Sequence, residues 1–207
     1  ENGVPISEYD LNRDLKVAIS EYAPDSEIIV DGKKYTSKYI TLKKQSEFPK
    51  NWFITCPTCK KTNVFLSKSD ISECKYCGQT ISTEIMEYYI EPVNGFKSGI
   101  TKGSTRLKPK RSYAGEVSYV GNGKTDEKRL ILGNAIGIET SSDDELLVMN
   151  KSGFYMCPVC GYSEIVKKNA KFPQILKQHK NFKQFDCSCS ELNYLRLGHK
   201  FQTDVAR

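Results

Sequence analysis

The chain has 207 residues, of which 38% are hydrophobic and 27% charged, and its formal net charge is +6. No segment approaches the ~20 consecutive apolar residues of a membrane-spanning helix, and the 11% of aromatic residues excludes a globally disordered chain. The length suits one domain or two small ones, but the apolar content is low. We therefore expect something besides a hydrophobic core to stabilise the fold.

The N-terminal part of the chain predicts a helix followed by a β-hairpin. Apolar residues recur at helical spacing over residues 7–22, and Pro24 then ends the helix. Two strand patterns follow, Glu27–Val30 and Lys34–Leu42. They are separated by Asp31–Gly32, a pair typical of a two-residue hairpin turn.

The remainder of the chain predicts mainly short strands. Lys151–Gly153 reads as a hairpin turn, and the acidic triplet Asp143–Glu145 reads as a turn that enters a strand. The strand patterns are Glu116–Val120, Arg129–Leu132, Leu146–Met149, Phe154–Met156, Leu192–Leu197 and Phe201–Val205.

Eight cysteines fall into four close pairs: Cys56 and Cys59, Cys74 and Cys77, Cys157 and Cys160, Cys187 and Cys189. Disulfides join distant segments, whereas two thiolates on one tight turn can bind the same metal ion. The sequence also opens without a signal-peptide pattern. We therefore expect a reducing, cytoplasmic location and two structural zinc ions.

The first four cysteines have the spacing of a zinc ribbon. Cys56 and Cys59 are followed by fourteen residues and then by Cys74 and Cys77. Gly78 follows the second pair and lets the chain reverse direction without a Cβ clash. These four thiolates are the predicted ligands of the first zinc.

The second site combines Cys157 and Cys160 with Cys187 and Cys189, a less common C-x-C pair. His179 precedes Cys187 by a few residues and is the alternative to Cys189 as the fourth ligand, although we favour Cys189. Both sites then have four protein ligands and no open position for water, which is typical of structural zinc. No catalytic site is therefore expected in this chain alone.

Together these patterns predict an α+β fold, mainly β, with small antiparallel sheets, one N-terminal helix and two zinc-ribbon-like sites. We divide the chain into a helix with a β-hairpin (1–49), a first zinc ribbon (50–92) and a β-rich segment with the second zinc site (93–207). The three parts would form one composite module, which we expect to be a piece of a longer protein.

Basic residues cluster in runs that contain no acidic residue. Lysine outnumbers arginine, which favours contacts with the nucleic-acid backbone over reading of base edges. A solvated surface is the alternative interpretation of each run. The candidate DNA contacts are Lys97, Lys102, Arg106, Lys108, Lys110, Arg111, Lys167, Lys168 and Lys171.

Four stretches resemble a known family: Arg13–Tyr35, Glu91–Phe96, Phe154–Gly161 and Leu197–Val205. They are similar to the C-terminal zinc-binding module of a bacterial group of superfamily-two helicases and their partners. This group includes the MrfA repair helicases and the helicase and accessory subunits of DISARM phage-defence systems. The resemblance spans nearly the whole chain, and Leu197–Val205 is its most specific part.

The resemblance implies a metal-binding accessory module attached to an ATP-driven DNA translocase. Its partners would be DNA and a helicase motor domain or partner subunit, with no membrane. The family often places a His before the third Cys of its second cluster, as His179 precedes Cys187 here. Where the family usually has Gly after Ala-Pro, this chain has Asp25, which should alter only a turn.

The expected function is to guide or hold DNA in repair or phage defence while ATP is hydrolysed elsewhere. The first alternative is a protein-interaction module that docks a partner subunit without touching DNA. The second is an enzyme such as a nuclease, for which Asp143–Glu145 is the only acidic triplet. For His199 and Asp204 we expect a hydrogen-bonded pair that joins the closing strands.

Overall fold

The structure is a computed structural model that describes residues 10–42, 48–70, 73–99, 108–111, 115–120, 128–132, 136–165, 178–189 and 191–206. Over these residues it has a single α-helix, α1 (Leu15–Glu21), two 3₁₀ turns at Lys68–Asp70 and Thr83–Ile85, and otherwise strands as its regular elements. The strands are β1 (Glu27–Val30), β2 (Lys33–Ile40), β3 (Asn51–Thr55), β4 (Thr62–Phe65), β5 (Glu87–Ile90), β6 (Phe96–Gly99), β7 (Gly115–Tyr119), β8 (Lys128–Leu132), β9 (Ile136–Asn150), β10 (Phe154–Met156), β11 (Ser163–Glu164) and β12 (Asn193–Ala206). The predicted fold class, mainly β with one short N-terminal helix, is confirmed.

Helix α1 is shorter than the helix predicted over residues 7–22. It begins after Asp14, whose extended backbone and side chain form the N-cap, because the carboxylate accepts the N–H of Lys16 at 3.2 Å. Residues 10–14 are not helical, and Leu11 is 41% exposed. The apolar periodicity therefore begins before the true start of the helix. Leu11 follows the periodic pattern but lies outside the helix.

Strands β1, β2 and β6 form a three-stranded antiparallel sheet. The turn between β1 and β2 is the predicted one, because Asp31 and Gly32 both have positive φ, 47° and 69°. Two such residues in succession give the primed turn that matches the twist of a hairpin.

The second sheet is organised around β12. Its first residues pair antiparallel with β10, its central residues pair parallel with β5, and the stretch from Gly198 onward pairs antiparallel with β9. Strands β11, β3 and β4 extend this sheet, while β7 and β8 pair with β9. Strands from 50–92 and from 93–207 therefore lie in one sheet.

Three expectations about this region are wrong. The two predicted closing strands are the single strand β12, with an irregularity between Thr203 and Val205. Lys151–Gly153 is a bend and not a hairpin turn, because β9 and β10 both pair with β12. The triplet Asp143–Glu145 lies inside β9 and is not a turn.

Among the described residues, the buried hydrophobic side chains form a large cluster, a small one at the first four cysteines, and a third one within the main sheet. The larger one packs α1 against the sheets through residues such as Ile19, Ile40 and Phe154. A smaller one, around Ile54, Phe65 and Ile81, includes two of the first four cysteines. Among the described helices, none is long and apolar enough to cross a membrane.

Candidate metal centres

The first four cysteines converge on one point. The sulfur atoms of Cys56 and Cys77 are 3.7 Å apart, those of Cys59 and Cys74 are 3.6 Å apart, and all four lie within 4.8 Å of one another. In a tetrahedron with Zn–S bonds of about 2.3 Å the sulfurs are about 3.8 Å apart. The arrangement therefore has the size of a zinc–tetrathiolate centre, with Cys56 and Cys74 buried.

Each C-x2-C pair sits on the same kind of turn. In the turn that begins at Cys56, the N–H of Lys60 donates to the carbonyl of Cys56, and Lys60 has a φ of 60°. The corresponding residues after Cys74 and Cys157 are Gly78 and Gly161, with φ of 67° and 75°. A left-handed residue at this place closes the turn and points both sulfurs to one side.

Asn63 supports the first centre and was not singled out from the sequence. Its side chain is fully buried, and its amide donates to the sulfur of Cys74 at 3.4 Å. Its carbonyl oxygen accepts the N–H of Lys75 at 2.9 Å, which fixes the orientation of the amide. Nothing in the sequence pattern marks Asn63, since it lies in β4 and not in either cysteine turn.

The second centre consists of Cys157, Cys160, His179 and Cys187. The sulfurs of Cys157 and Cys187 are 3.8 Å apart, and Nε2 of His179 lies 3.2 Å from the sulfur of Cys160. A tetrahedron with one nitrogen at about 2.0 Å and sulfurs at about 2.3 Å has N–S edges of about 3.6 Å. The donor set of three cysteines and one histidine therefore fits a zinc centre.

The expected preference for Cys189 as the fourth ligand is not what the structure shows. Cys189 lies outside the cluster, and its thiol is 3.0 Å from the carbonyl of Glu191, to which it donates. A small hairpin brings His179 beside Cys187 instead: Lys180 pairs with Asp186, and the N–H of Cys187 donates to the carbonyl of His179 at 2.9 Å.

The turn of this hairpin is fixed by Asn181. Its side-chain oxygen accepts the N–H groups of Lys183 at 2.9 Å and Phe185 at 3.1 Å. This local bonding is typical of asparagine in turns. Asn181 thereby holds the turn that brings His179 next to Cys187.

Two tyrosines hold His179 and were also not singled out. The ring of Tyr162 stacks on the imidazole at 4.9 Å, and Tyr39 of β2 packs edge-on against Tyr162 at 5.6 Å. The hydroxyl of Tyr39 donates to the carbonyl of Lys180 at 3.0 Å. The second centre is thereby joined to the N-terminal hairpin.

The pKa values of the thiols indicate why the two centres need a cation to compensate negative charge. Burial raises the pKa of Cys74, but hydrogen bonds from the Tyr76 N–H and the Asn63 amide outweigh it and lower the pKa to about 6. In the second centre, the hydrogen bond with Cys160 and burial raise the pKa of Cys157 to about 12. Neighbouring thiols cannot all ionise unless a cation compensates their charge, and a divalent metal provides that compensation.

The donor sets change the charge of the chain. A zinc ion with four thiolates carries −2, and one with three thiolates and a neutral His carries −1, which together lower the formal +6 to about +3. Binding of nucleic acid must then depend on local patches of charge and not on the net charge.

The candidate DNA contacts are only partly within the described residues. Lys102, Arg106, Lys167, Lys168 and Lys171 lie outside them. Of the others, Lys97 lies over the ring of Phe182 at 4.6 Å, and Arg111 is 3.4 Å from Glu21. The backbone of Lys110 exchanges hydrogen bonds with Glu27 of β1, so Lys108, Lys110 and Arg111 follow the edge of the hairpin sheet.

His199 contacts a carboxylate that the sequence did not indicate. Its Nδ1 lies 3.3 Å from Oε1 of Glu91, which also accepts the N–H of Lys200. The side chain of Asp204 lies outside the described residues, so its pairing stays a prediction.

No protein-family model matches the chain, and neither a curated protein nor a solved structure matches it. Its own geometry supports a mainly β protein with two Cys-rich clusters that can each hold a metal ion.

Proposed function

We propose that this chain is a zinc-binding accessory module of a bacterial ATP-dependent DNA helicase in repair or phage defence, and that it guides or holds DNA. Both zinc ions are structural, since each candidate centre has four protein donors. The chain supplies no motor of its own, and a motor domain or partner subunit hydrolyses ATP.

The observation that carries this proposal is where the four family-like stretches lie. Phe154 pairs with Leu195 of β12, Glu91 accepts from His199 of β12, and Lys16 of α1 lies over Phe201 of β12 at 5.6 Å. The stretches that resemble the helicase-associated module therefore meet around a single strand, although they are far apart in sequence.

Two further details agree with the family pattern. The second cluster contains His179 before its third Cys. Asp25 stands where the family usually has Gly, and its φ is 65°, the region that favours glycine. Its carboxylate accepts the N–H of Ile165 at 2.9 Å and pairs with Lys38, which compensates for the strained backbone.

The alternative of a docking module without DNA contact is supported by the ion pairs of several basic residues. Lys34 pairs with Glu27 at 2.9 Å, Lys38 pairs with Asp25, and Arg111 lies near Glu21. Basic side chains that already form ion pairs with carboxylates attract phosphate less strongly. We retain DNA binding because the segment with Lys108 and Lys110 lies along an exposed edge.

The test is the salt dependence of DNA binding by the chain and by a triple variant, Lys108→Ala, Lys110→Ala and Arg111→Ala. The slope of log affinity against log salt is about −0.9 per phosphate contact for duplex and about −0.7 for single strands. We expect the triple variant to flatten the slope by two to three contacts and to keep both zinc ions. The matched control removes three other exposed lysines, Lys33, Lys151 and Lys183.

Binding without salt dependence, or no binding at all, would favour the docking module over the DNA-binding one. A slope that is equally flattened in the control triple variant would show that the positive charge acts globally and that the segment ending at Arg111 is not a contact.

A further inference from the structure

Three aromatic side chains stand side by side across the first ribbon. Trp52 of β3 pairs with Phe65 of β4 on one side and with Tyr88 of β5 on the other. Directly paired residues of antiparallel strands point to the same face of a sheet. The rings of Trp52 and Tyr88 are half-buried with centroids 5.3 Å apart, whereas Phe65 is buried. Trp52 also packs on the small cluster of the first ribbon and Tyr88 on the larger cluster, so the row presents the remaining exposed parts of these two rings.

Each ring in the row has the ammonium group of an exposed lysine over it. The distances from Nζ to the ring centroid are 4.8 Å for Lys75 over Phe65, 5.5 Å for Lys68 over Trp52 and 5.1 Å for Lys50 over Tyr88. Such a contact is weak at an exposed site, so a ligand with anions and flat rings can replace it. We refer to these six residues as the lysine-capped aromatic row.

These lysines differ from the lysines of the N-terminal hairpin. Lys34 and Lys38 are neutralised by carboxylates at ion-pair distance. In the part of the chain that the structure describes, Lys50 and Lys68 form no ion pair. Lys75 donates to the carbonyl of Val64 at 3.1 Å and likewise has no carboxylate partner there. The row therefore has positive charge available for an anionic ligand.

We propose that the lysine-capped aromatic row binds single-stranded nucleic acid. Bases stack on Trp52 and Tyr88, and the backbone phosphates take the ammonium groups of Lys50 and Lys68. Aromatic platforms beside a basic track are the usual physical means of holding single strands. The inference rests on the proposed function and deepens it, since it names the form of DNA and the surface that binds it.

The same chemistry argues against the other ligands that could occupy this face. In a duplex the faces of the bases are covered by their neighbours, so the rings of Trp52 and Tyr88 would find nothing to stack on. An acidic peptide would satisfy the lysines but would leave the aromatic surfaces uncovered. A strand with unpaired bases uses both features of the row.

A groove continues the row beyond Tyr88. Lys50 and Tyr88 form one side of it. Its other lining residues include Leu42, Phe48, Met156 and Pro158. Apolar walls next to a lysine suit a further nucleotide, with the base inside and the phosphate at the rim.

Trp52 allows a direct test, because it is the only tryptophan of the chain. Its emission is recorded while unlabelled oligodeoxythymidine of about 16 nucleotides, at the upper end of common site sizes, is added. We expect saturable quenching, since a stacked base quenches the indole. A duplex of equal length should quench far less at equal occupancy, with occupancy followed separately by the anisotropy of labelled DNA.

Variants locate the site. Tyr88→Leu should lower single-strand affinity by about 5- to 150-fold, the loss expected from one stacked base. Tyr155→Leu, at a half-buried tyrosine of β10 that packs on Tyr194, should change it little. Replacing Lys50, Lys68 and Lys75 with Ala should flatten the salt slope by about 1.4, the value for two single-strand phosphate contacts, whereas the Lys33, Lys151 and Lys183 control should not. Zinc content and circular dichroism confirm that each variant is folded.

The outcomes separate this inference from the proposed function. DNA binding by anisotropy with unchanged Trp52 emission overturns the inference and leaves the proposed function standing. Equal quenching by duplex, or by inorganic polyphosphate, which has no bases, also overturns it, because stacking would then not be the cause. If no DNA of either form binds, the proposed function fails together with the inference.

Discussion

The two metal centres use the same cysteine turn in different surroundings. The first is local: its four ligands lie between Cys56 and Cys77, and three of them pack in or against a small hydrophobic cluster. The second draws ligands from two separate segments and also contacts β2, because the N–H of Ile40 donates to the carbonyl of Gly161 at 2.9 Å. The first centre therefore stabilises one ribbon, and the second joins the N-terminal hairpin to the main sheet.

Removing one ligand from each centre should give the largest contrast. Cys157→Ser and Cys56→Ser should each cost one zinc, and metal binding in such modules is folding free energy, on the order of 10 kcal/mol. Cys157→Ser should abolish cooperative unfolding of the sheet, measured by circular dichroism. Cys56→Ser should mainly shift the emission of Trp52, which lies in the ribbon. Equal loss of sheet signal in both variants would remove the distinction between the centres.

The fourth ligand of the second centre gives the next largest effect. His179→Ala should lose one zinc, since Nε2 of His179 lies within the cluster. Cys189→Ser should keep two zinc ions, because its thiol bonds to the carbonyl of Glu191. Zinc analysis of both variants after dialysis shows which residue is the fourth ligand. Loss of zinc from Cys189→Ser alone would mean that the ligand is Cys189.

A matched pair of glycines tests how closely each cysteine turn is packed. A Cβ at Gly161 would lie 2.0 Å from the carbonyl oxygen of Ile40, whereas a Cβ at Gly78 would meet nothing within 4 Å. Both residues have positive φ, so Gly78→Ala should cost about 1–2 kcal/mol of unfolding free energy from the backbone alone. Gly161→Ala should cost clearly more. Denaturant unfolding measures both, and equal costs would mean that β2 does not press on the second centre.

A further effect concerns the pH at which the first centre releases its metal. The Asn63 amide helps to lower the pKa of Cys74, and a depressed thiol pKa keeps the thiolate until the pH falls through that value. Asn63→Ala raises this pKa, so zinc should leave at a higher pH. Affinity should fall by about 10- to 100-fold, as for other groups that orient a ligand. Zinc release followed during acid titration tests this, and an unchanged midpoint would contradict the role of Asn63.

Local signals in the sequence were sufficient to predict the hairpin turn at Asp31–Gly32 and the first metal centre. Asp31–Gly32 and the four ribbon cysteines act through neighbours in the chain, and the structure places them as the patterns predict. The helix was overestimated because the apolar period runs past its cap at Asp14. Periodicity records which residues share a face, whereas the N-cap decides where the helix begins.

Features that depend on pairing between distant parts of the chain could not be predicted from the sequence. Gly198 interrupts the strand pattern, yet β12 continues through it because its neighbours pair with β5 and β9. A Cβ at Gly198 would lie 2.5 Å from the ring of Tyr89, so the glycine makes room for that ring. Residues Lys151–Gly153 predicted a hairpin turn, but they form a bend. No local pattern indicates that β9 and β10 both pair with β12 and not with each other. His179 was underrated for the same reason, since its stacking partner Tyr162 belongs to another segment.

The most direct test of the account is the zinc content of the purified chain. Elemental analysis combined with native mass spectrometry, after dialysis against metal-free buffer, should find two zinc ions per chain. Two ions would agree with one centre of four cysteines and one of three cysteines and a histidine, each with its donor atoms within 4.8 Å of one another. One ion or none would contradict the claim that this fold is built on two structural metal sites.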